Sequence, residues 1–93
     1  MVVRHDARPL TVSEAVELTG LSDNTLRRRV DAWLSGDRSP YALKGGRTGG
    51  DKGDRLVDPL DAERARLQRL GELPGTVTTD EYARQAAERP GPD

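Results

Sequence analysis

Two helix-start signatures stand only 11 residues apart, at Thr11 and Ser22, and this spacing constrains the fold more than any other feature of the chain. Thr11 with Glu14 forms a capping box, in which the hydroxyl takes the third amide of the helix and the Glu side chain returns to the cap amide. Leu10 and Ala15 stand where a hydrophobic staple would pair. The helix opened there has Ala15, Val16, Leu18 and Thr19 as its buried side. It stops at Gly20, a residue able to take the left-handed conformation of a helix end. Ser22 then caps a second helix, with Asp23 beside its positive end. Only Gly20, Leu21 and Ser22 separate the two. Two helices joined by so short a turn read as a helix-turn-helix.

The second helix divides cleanly by face. Leu26, Val30, Trp33 and Leu34 recur at the spacing of an apolar stripe, so Trp33 is expected in the core. At 100° per residue the opposite side holds Asn24, Arg28 and Asp31, with Thr25 and Arg27 flanking. Ser35-Gly36-Asp37 ends the helix. Tyr41-Ala42-Leu43-Lys44 and Arg55-Leu56-Val57 read as short strands. Between them, Gly45 to Asp54 holds five glycines and no large apolar residue, so a hairpin with a mobile tip is expected. Asp58-Pro59 starts a third helix, with Leu60, Ala62, Leu67 and Leu70 as its buried stripe and Gly71 as its stop. Thr78 and Glu81 form another capping box, predicting a short helix over about Thr79 to Glu88 with Tyr82 and Ala86 on one side.

The chain has 93 residues, enough for one small domain. Residues 1–9 read as a flexible lead, 10–71 as the domain, and 72–93 as a helical appendage with a frayed tail. Leu and Val number 18 together, and Ile and Phe are absent, so a large enclosed substrate cavity is not expected. No Cys is present, which excludes disulfides and thiolate-bound metal. No apolar run is long enough to span a membrane, and the first ten residues lack a signal-peptide core. These features fit a cytoplasmic protein.

The net charge of −1 conceals a segregation: residues 21–55 carry eight basic and five acidic side chains, whereas 56–93 carry five and eight. A basic centre beside an acidic tail points to a polyanionic partner. An Asn can pair with adenine and an Arg with guanine in the major groove. Asn24 and Arg28, one turn apart, are therefore expected at base edges of double-stranded DNA. Arg27 and Arg29 diverge toward the phosphates, and Thr25 suits a phosphate oxygen or a thymine methyl. Arg47, Thr48 and Lys52 on the hairpin tip, flanked by Lys44 and Arg55, are expected to act as a wing against the backbone. Three consecutive Arg also suit a plain solvated helix face, and a glycine-rich tip a plain surface loop.

Other chemistry is thin. His5 is the sole His and has no companion nucleophile, so an enzyme is not expected. The glycine-rich loop lacks the order of a nucleotide-binding loop. Asp58, Asp61 and Glu63 belong to a helix start, so neither a metal nor a cofactor is expected.

The segment from Leu10 to Ser22 resembles the opening of the winged-helix proteins related to MerR regulators and phage excisionases. Thr25-Leu26-Arg27-Arg28 resembles the start of their recognition helix, and Arg55-Leu56-Val57-Asp58 falls where their third helix begins. The likeness covers about Leu10 to Leu70; the loop from Gly45 to Asp54 is longer and richer in glycine than the family pattern. It implies an α+β fold: a small winged helix-turn-helix with a third helix and, here, a short C-terminal helix. Small members of this kind resemble recombination directionality factors, which bend attachment-site DNA, associate side by side and steer an integrase toward excision. Other small members regulate transcription; longer MerR regulators add a dimerising coiled coil, for which Pro59 to Glu88 is too short. A separate reading makes the Leu60–Tyr82 stripe a protein-interaction surface.

Overall fold

The Thr11 capping box forms as its residues dictate: the Glu14 amide donates to Thr11 Oγ1 at 3.1 Å and the Thr11 amide to Glu14 Oε1 at 3.0 Å. The computed structural model describes residues 8–48 and 54–88. Among these, strand β1 (Leu10–Thr11) leads into α1 (Val12–Thr19) and α2 (Asp23–Leu34). Strands β2 (Gly45–Arg47) and β3 (Arg55–Val57) follow, then α3 (Pro59–Arg69) and α4 (Thr79–Glu88). The result is a small α+β fold of four helices and one three-stranded antiparallel sheet, ordered β1-β3-β2.

Gly20 ends α1 with φ at +79°, the left-handed conformation its position requires. The spot is also crowded, since a Cβ there would lie 2.8 Å from the Arg69 guanidinium carbon. Ser22 caps α2 by accepting the Thr25 amide. Asp58 caps α3 by accepting the Asp61 amide, with Pro59 in the first turn. Thr78 and Glu81 exchange the two bonds of their capping box at the head of α4.

The core is assembled from one side chain or a few per element. Val12 and Ala15 of α1, Leu26 and Val30 of α2, Leu43, Val57 of β3, and Ala62 and Ala65 of α3 form one buried cluster. Leu10, Val16 and Leu21 pack at its edge.

Several expected core positions lie elsewhere. Leu18 and Leu34 are 41% and 42% exposed: Leu18 lies off the α1 face that buries Ala15 and Thr19, and Leu34 ends α2 one turn beyond the buried Val30. Trp33 is only half buried; the Arg38 guanidinium stacks on its ring at 3.6 Å and replaces core packing. On α3, Leu60 and Leu67 are half buried and Leu70 is 49% exposed, while the neighbouring Ala62 and Ala65 face inward.

Tyr41 to Lys44 is not a strand; the first arm of the hairpin is Gly45–Arg47 instead. The reason is hydrogen-bond competition. Arg29 takes the carbonyls of Pro40 and Tyr41, Arg64 takes those of Pro40 and Ala42, and the Leu43 amide donates to the Arg29 carbonyl. A segment so engaged has few backbone groups left for a sheet ladder. The strand β1, which pairs Leu10 with Val57 and Thr11 with Leu56, was not expected from the sequence.

The buried polar pair Asp61 and Arg64 joins the two halves of the fold. Arg64 is wholly buried and uses all five of its N–H donors. Nε donates to Asp61 Oδ1 at 2.6 Å, and the other four reach Asp61 Oδ2 and the carbonyls of Pro40, Ala42 and Val77. Asp61 also accepts from the Lys44 amide at 2.7 Å and the Thr79 hydroxyl at 2.8 Å. Through these bonds α4 is integrated with the domain rather than appended to it, and Tyr82 is 3% exposed. Asp61 is thus a buried partner, not only the helix-start acid its sequence position suggests.

Candidate nucleic-acid interface

Helix geometry turns one side of α2 inward through Leu26 and Val30, and the residues half a turn away must face outward. Asn24 and Arg28 do so. Both are exposed, and neither side chain takes part in a hydrogen bond or ion pair among the described residues. The one Asn and one Arg expected to reach base edges are thus left open on the same face.

The flanking residues behave differently. The Thr25 hydroxyl accepts from the Ser22 hydroxyl at 2.9 Å, which ties it to the helix cap. Arg27 pairs with Asp54 through Nε and Nη2, at 3.1 and 3.2 Å, and with Asp23 one turn back at 3.2 Å. Arg29 does not point to a phosphate flank. Its Nε donates to the Tyr41 carbonyl at 2.6 Å and its Nη2 to that of Pro40 at 3.2 Å, with the tyrosine ring 5.5 Å away. The side chain turns back because the polar carbonyls of the 40–43 loop need donors, and the Arg29 stem reaches them.

The hairpin lies along α2. Its strands pair Gly45 with Val57, Gly46 with Leu56 and Arg47 with Arg55. Gly45 is required here, because an added Cβ would sit 2.1 Å from the Leu56 carbonyl oxygen. Arg47 and Thr48 are exposed at the outer end, where the Thr48 hydroxyl accepts the Asp54 amide. Arg55 is directed back to α2, donating through Nε and Nη2 to the two Asp31 oxygens. Lys44 is exposed, but its backbone is held at the start of α3 by Asp61 and by the Asp58 amide, away from the tip. Lys52, like the rest of 49–53, lies outside the described residues, as do His5, the lead through residue 7 and the tail from residue 89.

These pairings perturb the local electrostatics. The Arg55 guanidinium holds the Asp31 carboxyl below the usual carboxylate range, with Arg47 adding a weaker attraction. Arg27, and then the Arg55 amide, do the same for Asp54. Burial lowers Arg29 from the ordinary arginine value, and repulsion from Arg64 adds to it.

A groove of about 560 Å³ opens between α1, the start of α2 and Asp54 at the outer end of the hairpin. Among the described residues, Glu17, Asp23 and Asp54 line it against the single cation Arg27, and their combined field disfavours a phosphate. Asn24, Arg28, Arg47 and Thr48 do not line this groove. Sequence reasoning missed Asp31, Asp54, Asp61 and Arg64 as partners. The spacing of Asp61 and Arg64 on one helix was a visible signal, whereas nothing local linked Arg27 to Asp54 across 27 residues.

No family model, curated protein or solved structure matches this chain. Among the described residues no helix is long and apolar enough to cross a membrane, and no group of three or more His, Cys, Asp or Glu side chains forms a potential metal site.

Proposed function

We propose that this chain is a winged helix-turn-helix protein that binds double-stranded DNA sequence-specifically, as an excisionase-like directionality factor. The observation that carries the proposal is the selective exposure on α2. Its neighbours Arg27 and Arg29 are consumed by internal partners, while Asn24 and Arg28 have none among the described residues and lie on one face. In this reading α2 enters the major groove, Asn24 and Arg28 meet base edges, and Arg47 and Thr48 on the hairpin approach the backbone. Arg27, Arg29 and Arg55 then keep their internal partners rather than touch phosphate. The resemblance of the Leu10–Ser22 segment to MerR-related and excisionase proteins supports the same assignment. Of the Leu60–Tyr82 stripe, Ala62, Ala65 and Tyr82 are buried, while Leu60 and Leu67 are half buried and Leu70 is exposed.

Fluorescence anisotropy with a labelled random-sequence duplex, across a salt series, tests the binding. With Arg47 and a few further cations neutralising phosphates, log K should fall against log salt with a slope of roughly −2 to −4. No binding at about 50 mM salt refutes the proposal. An excisionase-like role adds DNA bending. Circularly permuted fragments bearing a selected site should migrate differently according to the position of that site, and uniform migration would favour a transcription regulator instead.

A further inference from the structure

The hairpin is fastened to α2 by two ion pairs that run in opposite directions. α2 supplies Arg27 and Asp31, one turn apart, and the start of the second hairpin arm supplies Asp54 and Arg55, adjacent in sequence. Arg27 reaches both oxygens of Asp54, at 3.1 and 3.2 Å. Arg55 reaches both oxygens of Asp31, the Nη2 bond measuring 3.1 Å. In each pair the planar guanidinium meets the carboxylate through two parallel bonds, the arrangement with the greatest demand on direction.

One such pair would act as a pivot. Two pairs at different points along the helix fix an angle as well as a distance. Their side chains are 21–49% exposed, and ion pairs in that range contribute little to folding stability. The consequence of the arrangement is geometric. It joins α2, which exposes Asn24 and Arg28, to the hairpin, which exposes Arg47 and Thr48. It also occupies two cations, Arg27 and Arg55, whose positions in sequence suit phosphate contact.

We infer that Arg27, Asp31, Asp54 and Arg55 form a reciprocal latch that sets the register between the α2 face and the hairpin, and that this register governs selectivity for a DNA site. The four are positioning residues and not DNA contacts. The inference rests on the DNA-binding proposal above. When a latch pair is broken, Arg28 and Arg47 keep their charges and still attract phosphate. The hairpin no longer holds its contacts at a defined offset from the bases that α2 reads. Selective binding falls while general duplex binding persists.

The experiment uses the full chain and two labelled duplexes of about 20 base pairs, one enriched from a random library with the wild-type protein and one of random sequence. Selectivity is the ratio of the two dissociation constants. Asp31→Arg and Arg55→Asp should each lower that ratio by about tenfold. The double variant Asp31→Arg with Arg55→Asp restores an ion pair at the wild-type net charge and should recover the ratio to within about threefold. Circular dichroism melting checks each variant. If a single variant does not fold, Asp31→Asn and Arg55→Gln take its place, with the same expected loss of selectivity. A double variant no better than Arg55→Asp alone overturns the latch and returns Arg55 to DNA contact. Single variants with wild-type selectivity overturn it as well. A wild-type protein that binds neither duplex refutes the DNA-binding proposal itself, an outcome distinct from selective wild-type binding with indifferent variants.

Discussion

Arg64 is fully buried with every donor engaged, and the backbone of the 40–44 loop, the start of α3 and the approach to α4 are arranged around it. A charge removed from water is tolerable only when its partners are in place, so losing one member leaves the other uncompensated. Arg64→Met should therefore destabilise the fold by about 3–5 kcal/mol in urea denaturation, and removing Asp61 as well should cost less than the sum of the single changes. A loss below about 1 kcal/mol would show that the pair is not a structural centre. Gly45 makes a different demand. Gly45→Ala places a methyl against the Leu56 carbonyl, which side-chain rotation cannot relieve, and should cost about 2 kcal/mol or more. Little of this was legible in sequence. Asp61 and Arg64 stand at a spacing that puts them on one helix face, but their burial depends on carbonyls at 40, 42 and 77 that only the fold brings near.

The elements were easiest to read where their causes are local. Thr11 with Glu14, Ser22, Asp58-Pro59, and Thr78 with Glu81 start four helices by bonds spanning three residues, and all four form. Tyr41 to Lys44 reads as a strand but is not one, because Arg29 and Arg64, 12 and 22 residues away, claim the carbonyls of Tyr41 and Ala42. β1 escaped notice because two residues carry no periodicity, and its pairing with Val57 and Leu56 is long-range. The hairpin also has a pH dependence. Asp31 and Asp54 have folded values below the ordinary one, so their contribution is complete above about pH 4 and is lost as the pH falls through the depressed values. Amide resonances of 45–47 and 55–57 should shift in acid below about pH 4 in step with these carboxyls, and midpoints at or above the ordinary carboxylate value would contradict the pairings.

At the scale of the molecule, the charge segregation was readable and its distribution in space was not. Of the ten side chains expected to meet DNA, Asn24, Arg28, Arg47 and Thr48 stand exposed on α2 and the hairpin, while Arg27, Arg29 and Arg55 are spent on internal contacts. This difference should appear in affinity. Arg28→Ala should lose about 1–3 kcal/mol of discrimination between DNA sites. Arg47→Ala should weaken all duplexes alike and reduce the salt slope by about 1. Identical behaviour of the two variants across a panel of sites would remove the division of roles.

The most direct measurement is a titration of isotopically labelled protein with a selected duplex, followed by amide and side-chain NMR. Shifts should concentrate at Asn24, Arg28 and the residues 45–48. A titration that leaves these positions unmoved, or moves only α3 and α4, would contradict the proposal that the open face of α2 reads DNA.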